Sequence, residues 1–227
     1  MNSGMGRRRY LDFSAFWKAC ANASRAEKRP RYHRRMINAL AKYETKYVAK
    51  KALFSFLGNT FRIFSTAGQL AFFVKQKAFK LKEEITIFAD EAQTQPMIRI
   101  NARSIIDISA TYDITDAATG AVIGAMKRKG LKSLLRDEWA ILANEQEVGK
   151  VIEDSGALAF LRRLFPIIPQ KFKVSLGTTE VGFIKQRFNI FQLAYDVDFS
   201  LDPSGRFDPR LGVAAVVLLL AIEGRQN

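Results

Sequence analysis

The sequence predicts a mainly β fold: a closed antiparallel barrel of about twelve strands around a central hydrophobic C-terminal helix, with N-terminal helices ahead of it. Three observations carry this. From Tyr47 onward the apolar residues alternate with a period near 2, a hairpin pattern recurs along the chain, and the run Leu211–Ile222 holds no charged or hydrogen-bonding side chain. With 227 residues, 48% hydrophobic and 26% charged, the chain has enough apolar material for one large packed domain and is neither disordered nor collagen-like. Its lone Cys20 and lone His33 exclude a disulfide framework and a Cys/His zinc site, and favour a reducing compartment.

Residues 1–46 read as a basic helical extension. Phe13, Phe16, Trp17 and Cys20 fall at helical spacing on a segment that must stop before Pro30, and Tyr32, Met36, Ile37, Leu40 and Tyr43 mark a second helix. Residues 1–51 carry 14 Lys/Arg against 3 Asp/Glu, a net of +11 out of the chain's +14. Such a segment can dock on the domain, lie on a membrane, act as an organellar transit peptide or bind nucleic acid with Phe13, Trp17 and Tyr32 as stacking partners. Charge alone does not choose among these.

The barrel is expected over 47–227. Its hairpin pattern is written at Phe61–Ile63 into Leu70–Val74, Tyr112–Ile114 into Val122–Met126, Trp139–Ile141 into Val148–Ile152, and Phe172–Val174 into Val181–Ile184. The aromatic residue and the first branched residue after each turn stand 9, 10, 9 and 9 positions apart, which keeps the facing of the paired strands consistent. Further strands are expected at Leu53–Leu57, Ile85–Phe88, Met97–Ile100, Ile105–Ser109 and Phe188–Phe199. So many short strands avoid open edges by closing on themselves, but a barrel of that size is too wide for its own side chains to fill.

The C-terminal run supplies the filler. Asp208 can cap a helix over 209–223 that starts at Pro209 and ends at Gly224. That helix has no polar face: Leu211, Val213, Val216, Val217, Leu218, Leu219, Leu220 and Ile222 all require burial. At about 1.5 Å per residue it rises roughly 22 Å, short of the roughly 30 Å hydrocarbon core, so a protein interior is the better host. The lumen is then apolar, while Arg62, Asp113, Lys173 and Ser175 face water, the reverse of an outer-membrane barrel.

The run Phe73-Val-Lys-Gln-Lys-Ala-Phe-Lys-Leu-Lys82, the stretch Tyr112-Asp-Ile-Thr-Asp-Ala-Ala-Thr-Gly120, the continuation from Lys127 to Trp139 and the apolar terminal helix resemble the LURP-one-related and phospholipid scramblase family of the Tubby C-terminal-like superfamily. The resemblance spans roughly residues 47–224. It implies a closed barrel around a hydrophobic helix. For function it implies either phosphoinositide binding by basic residues on the barrel, as in Tubby domains, or calcium-linked lipid movement, as described for scramblases.

The cations that fit the first implication are Lys127, Arg128, Lys129, Lys132 and Arg136 around Gly130, and Arg162, Arg163, Lys171 and Lys173 around Pro166 and Pro169. Apolar residues of Ala157–Phe165 beside the arginines suit a bilayer interface. Asp196, Asp198 and Asp202 are weak calcium ligands at best, because the stretch lacks the glycine and the bidentate glutamate of an EF-hand loop. Asp137 and Glu138 beside Arg136 read as an ordinary surface charge group. No catalytic constellation is visible, so the expectation is a non-enzymatic protein without a cofactor, cytoplasmic and peripheral at an anionic or phosphoinositide-bearing membrane. Nucleic-acid binding, scramblase-type activity and a protein-interaction scaffold stay open beside it.

Overall fold

The computed structural model describes residues 43–52, 59–76, 84–103, 110–129, 137–154, 169–188, 192–202 and 205–222. The extension up to residue 42, the expected strands at 53–57 and 105–109, and the helix end at 223–224 lie outside the described residues, while residues 43–45, expected to end a helix, are not helical and Lys46 already belongs to the first strand. Twelve strands form one closed barrel in which every neighbour is antiparallel. They are β1 Lys46–Ala52, β2 Asn59–Ser65, β3 Leu70–Gln76, β4 Ile85–Phe88, β5 Pro96–Ala102, β6 Thr111–Asp116, β7 Val122–Arg128, β8 Glu138–Ala143, β9 Gln146–Glu153, β10 Lys171–Leu176, β11 Thr179–Arg187 and β12 Gln192–Asp198. The helix α1, Pro209–Ile222, follows.

The four hairpins expected from the repeat are β2–β3, β6–β7, β8–β9 and β10–β11. The strands expected at 85–88 and 97–100 form a fifth, β4–β5. Each hairpin carries one register shift near its turn, the bulge that lets a broad sheet curl enough to close. Asn144 and Glu145 both adopt positive φ, 50° and 65°, as a two-residue type I′ turn between β8 and β9 requires. The β1–β12 pairing, Lys46 opposite Asp198 through Ala52 opposite Gln192, closes the ring.

Alternation sets the two ends apart. The tight turns 66–69, 89–95, 117–121, 144–145 and 177–178 lie at one end, and the remaining connections leave from the other. We refer to these as the turn end and the connection end. Inward residues such as Tyr47, Phe61, Ile63, Val74, Ile87, Ile98, Ile114, Trp139, Val151, Phe172, Ile184 and Tyr195 form one core with α1. Every residue from Arg210 to Ile222 is buried. The apolar helix therefore lies inside the barrel, as its lack of a polar face demands.

Local chemistry holds the helix at both ends. At the turn end the Asp208 carboxylate accepts the Arg210 backbone N–H at 2.9 Å, a helix N-cap. The Arg210 guanidinium in turn donates to Asp208 at 2.7 Å and to Asp116, at the end of β6, at 3.1 Å. Gly212 lies under Phe199 and Phe207, whose rings are 5.1 Å apart; a Cβ there would stand 2.5 Å from Phe199 Cε2. At the connection end the Lys51 ammonium, 4% exposed, donates to the Leu220 carbonyl at 3.3 Å and lies 5.6 Å from the Phe61 ring centre. A cation there meets the negative end of the helix dipole.

Two expectations change. The lumen is not purely apolar, since Lys51, Glu153 and Arg210 are buried charged residues with inward positions. Asp113 points outward but is not in open water. The Arg103 guanidinium, held between Asp113 at 2.5 Å and Glu145 at 2.6 Å, covers it together with the small outer cluster Ala125, Ala140 and Leu142. The Ser175 hydroxyl, also expected in water, is buried.

Candidate functional site

The basic residues singled out from sequence fall into three groups. Lys132, Arg136, Arg162 and Arg163, with the segment 157–165, lie outside the described residues. Arg128 is not on the outer surface: it stands in register with the inward Trp139, its side chain is 16% exposed, and its guanidinium is 3.4 Å from Asp137. Asp137 is thus a buried ion-pair partner and no surface charge, which corrects the reading of that segment.

Lys127, Lys129, Lys171 and Lys173 face outward. Lys127 is in the turn-distal part of β7, Lys129 directly follows that strand, and Lys171 and Lys173 lie in the half of β10 nearest the connection end. Their charge is mostly answered locally. Lys129 pairs with Glu147. Lys173 and Lys171 share Asp154, at 2.6 and 3.5 Å. The Lys173 hydrogen bond, chiefly, holds the Asp154 carboxyl below the ordinary aspartate range, and the same contact raises Lys173. A carboxyl lowered on folding contributes stability above its unfolded pKa of about 4 and loses it as the pH falls further. The two lysines are therefore released only in acid.

Of the expected calcium ligands, Asp196 is engaged by Arg187 at 2.5 Å, and Asp202 accepts the Phe207 N–H at 2.6 Å. Burial raises the Asp198 carboxyl, but hydrogen bonds from Ser200 and the Lys46 ammonium, 3.0 Å away, outweigh it and hold the group low. Their oxygens serve turns and ion pairs. Among the described residues no group of three or more His, Cys, Asp or Glu converges on a metal position.

The sequence reading missed a different surface. Lys50, Lys75, Lys127, Lys150 and Lys185 have no carboxylate partner among the described residues. Each stands in the half of its strand toward the connection end. On the contiguous wall β3–β2–β1–β12–β11–β10, three outward phenylalanines lie beneath cations: Phe73 under Arg62 at 5.5 Å, Phe64 under Lys50 at 5.1 Å and Phe183 under Lys171 at 5.7 Å. The aliphatic stems cover the rings and the charged heads reach water. At the lower edge of this wall Phe188, directly after β11, is 62% exposed. No described helix is long and apolar enough to cross a membrane. What this wall offers chemically is a field of ammonium and guanidinium donors for phosphate or carboxylate, with aromatic surface between them.

Comparison with known proteins bears on the family. A solved structure of a protein from Arabidopsis thaliana is similar, with a TM-score of 0.47 and 14% sequence identity over 81% of this chain and 96% of that one. No curated protein matches the sequence. The family model described as LURP-one-related matches residues 70–220, from the start of β3 to the last turn of the luminal helix. The chain belongs to the LURP-one-related family.

Proposed function

We propose that this protein binds anionic phospholipid headgroups, phosphoinositide-like in charge, at the surface of a membrane and catalyses no reaction. The observation that carries the reading is the trio of outward lysines, Lys50, Lys75 and Lys185, that lack a carboxylate partner among the described residues and stand toward the connection end of the wall β3–β2–β1–β12–β11–β10. Ammonium groups near an anionic bilayer contribute about 1 kcal/mol each, so several of them suffice for reversible attachment. The family resemblance to Tubby domains supports the same chemistry. A scramblase-type activity that needed α1 to enter lipid would have to break the Arg210 and Lys51 contacts and empty the barrel.

Sedimentation with neutral and with anionic vesicles across a salt series, with RNA and DNA as competitors, tests the proposal. The full chain is expected to pellet with anionic vesicles only, and less as salt rises. Preference for nucleic acid over vesicles would replace this reading with the nucleic-acid one. A gain-of-function variant sharpens the test. Asp154→Asn frees Lys171 and Lys173 and adds one net positive charge, so anionic-vesicle affinity should rise about fivefold at about 1 kcal/mol per charge. An unchanged affinity would remove Lys171 and Lys173 from the site.

A further inference from the structure

Resting on the phospholipid-binding reading, we infer that the protein meets an anionic bilayer with the wall formed by β2, β1, β12 and β11, and that Phe188 enters the boundary between headgroups and acyl chains as the apolar anchor of this contact. Register defines the wall. Lys50 on β1 and Arg187 on β11 both pair with Ala194 on β12, from opposite sides. At roughly 4.8 Å between strands their Cα atoms are about 10 Å apart across a methyl group. Lys185 stands two residues before Arg187 on the same face, opposite Asp196, and Arg62 pairs with Lys50 on its other side. Asp196 is the carboxylate that this cluster surrounds, and Arg187 already engages it with two nitrogens, at 2.9 and 2.5 Å. Arg62 is likewise engaged by Glu91, at 2.7 Å. Lys50 and Lys185 are the charge in excess.

Phe188 distinguishes a bilayer from a dissolved phosphate compound. It follows Arg187 directly, at the connection end, and leaves most of its ring in water. A free phosphate compound would use the lysines and leave that ring idle. A bilayer uses both: lipid phosphates take Lys50, Lys185 and the exposed part of Arg187, while the ring moves into the apolar boundary. The cations lying over Phe64 and Phe73 already have the geometry of side chains that cover apolar surface and reach outward with their charge.

The experiment compares full-length Phe188→Ala, Lys50→Glu with Lys185→Glu, and Lys127→Glu. Lys127 is on β7, diametrically across the ring from β1, and so serves as the reference face. All are scored against phosphatidylcholine vesicles with and without phosphatidylserine, at low and high salt, after thermal melts confirm folding. The double charge reversal is expected to weaken binding by roughly thirtyfold or more at low salt, with the deficit shrinking as salt screens it. Phe188→Ala is expected to weaken it roughly tenfold at either salt concentration, because apolar transfer is not screened. Lys127→Glu, though it changes the charge by two, should lose only a few-fold, because on the far side of the ring the charge is largely screened from the bilayer. If the unsubstituted protein binds anionic vesicles and both wall variants match it, or if Lys127→Glu takes the larger loss, the docking face is wrong while the phospholipid reading stands. If the unsubstituted protein binds no vesicles, the phospholipid reading itself fails and takes the wall with it. Loss of RNA or DNA binding in Phe188→Ala, with no vesicle binding in any form, would assign the wall to nucleic acid and overturn the inference.

Discussion

Leu218→Asp should yield no folded, soluble protein. Leu218 is 0% exposed in the core, with the apolar positions Val217 and Leu219 beside it in sequence and strand side chains in the same core. A carboxylate there has no water to solvate it. Even the protonated acid must bury a hydroxyl and a carbonyl without a partner, at a cost of several kcal/mol. The leucine's own burial, about 1.5–3 kcal/mol, is lost as well. Against the 5–15 kcal/mol that separates folded from unfolded states in ordinary domains, this single change is enough to empty the barrel of its core. The measurement is soluble yield and the near-ultraviolet dichroism of Trp139, with Leu218→Met as the volume-conserving reference that should fold normally. An aspartate variant that folds and denatures like the parent would mean that the helix spends its time outside the strands.

The same luminal helix shows why so much of the fold could be read from sequence. A helix with no polar face leaves only a core or a bilayer as host, and its length favours the core; the four hairpins announce themselves by turn residues at fixed offsets. β1 was harder. Its adjacent Lys50 and Lys51 break the alternation of apolar and polar residues, and only the closed ring explains them: Lys50 lies over Phe64 outside, while Lys51 reaches the last turn of α1 inside. The functional surface was harder still, because ion pairing depends on register. Nothing local to residues 127–136 shows that Arg128 turns inward to Asp137, and nothing near residue 173 shows that one carboxylate, Asp154, answers two lysines. The wall of Lys50, Arg187 and Lys185 joins the first strand to the last two, so its members are distant in sequence and adjacent only after closure. From sequence Phe188 reads only as the start of a strand over 188–199, whereas it directly follows β11 and lies outside β12, and nothing local marks it as exposed.

Arg210→Met is expected to destabilise the protein by about 3–5 kcal/mol, the range found when one partner of a buried ion pair is removed. Burial alone would lower the pKa of Arg210, but the hydrogen bonds and charge of Asp208, joined by Asp116, more than compensate and raise it. The guanidinium therefore stays charged and is worth most where it is least solvated. Deleting it leaves Asp116 and Asp208, with side chains 15% and 7% exposed, facing each other without a cation. Asp208 remains the helix cap, so the helix itself should still start at Pro209; the loss is in the tie between helix and β6. That separation can be measured. Combining Arg210→Met with Asp116→Leu removes one of the stranded carboxylates and supplies apolar contact in its place, and should recover a substantial part of the lost stability in urea denaturation. If instead the double variant falls by the sum of the two single losses, the ion pair does not couple helix to strand, and the helix is retained by its apolar side chains alone.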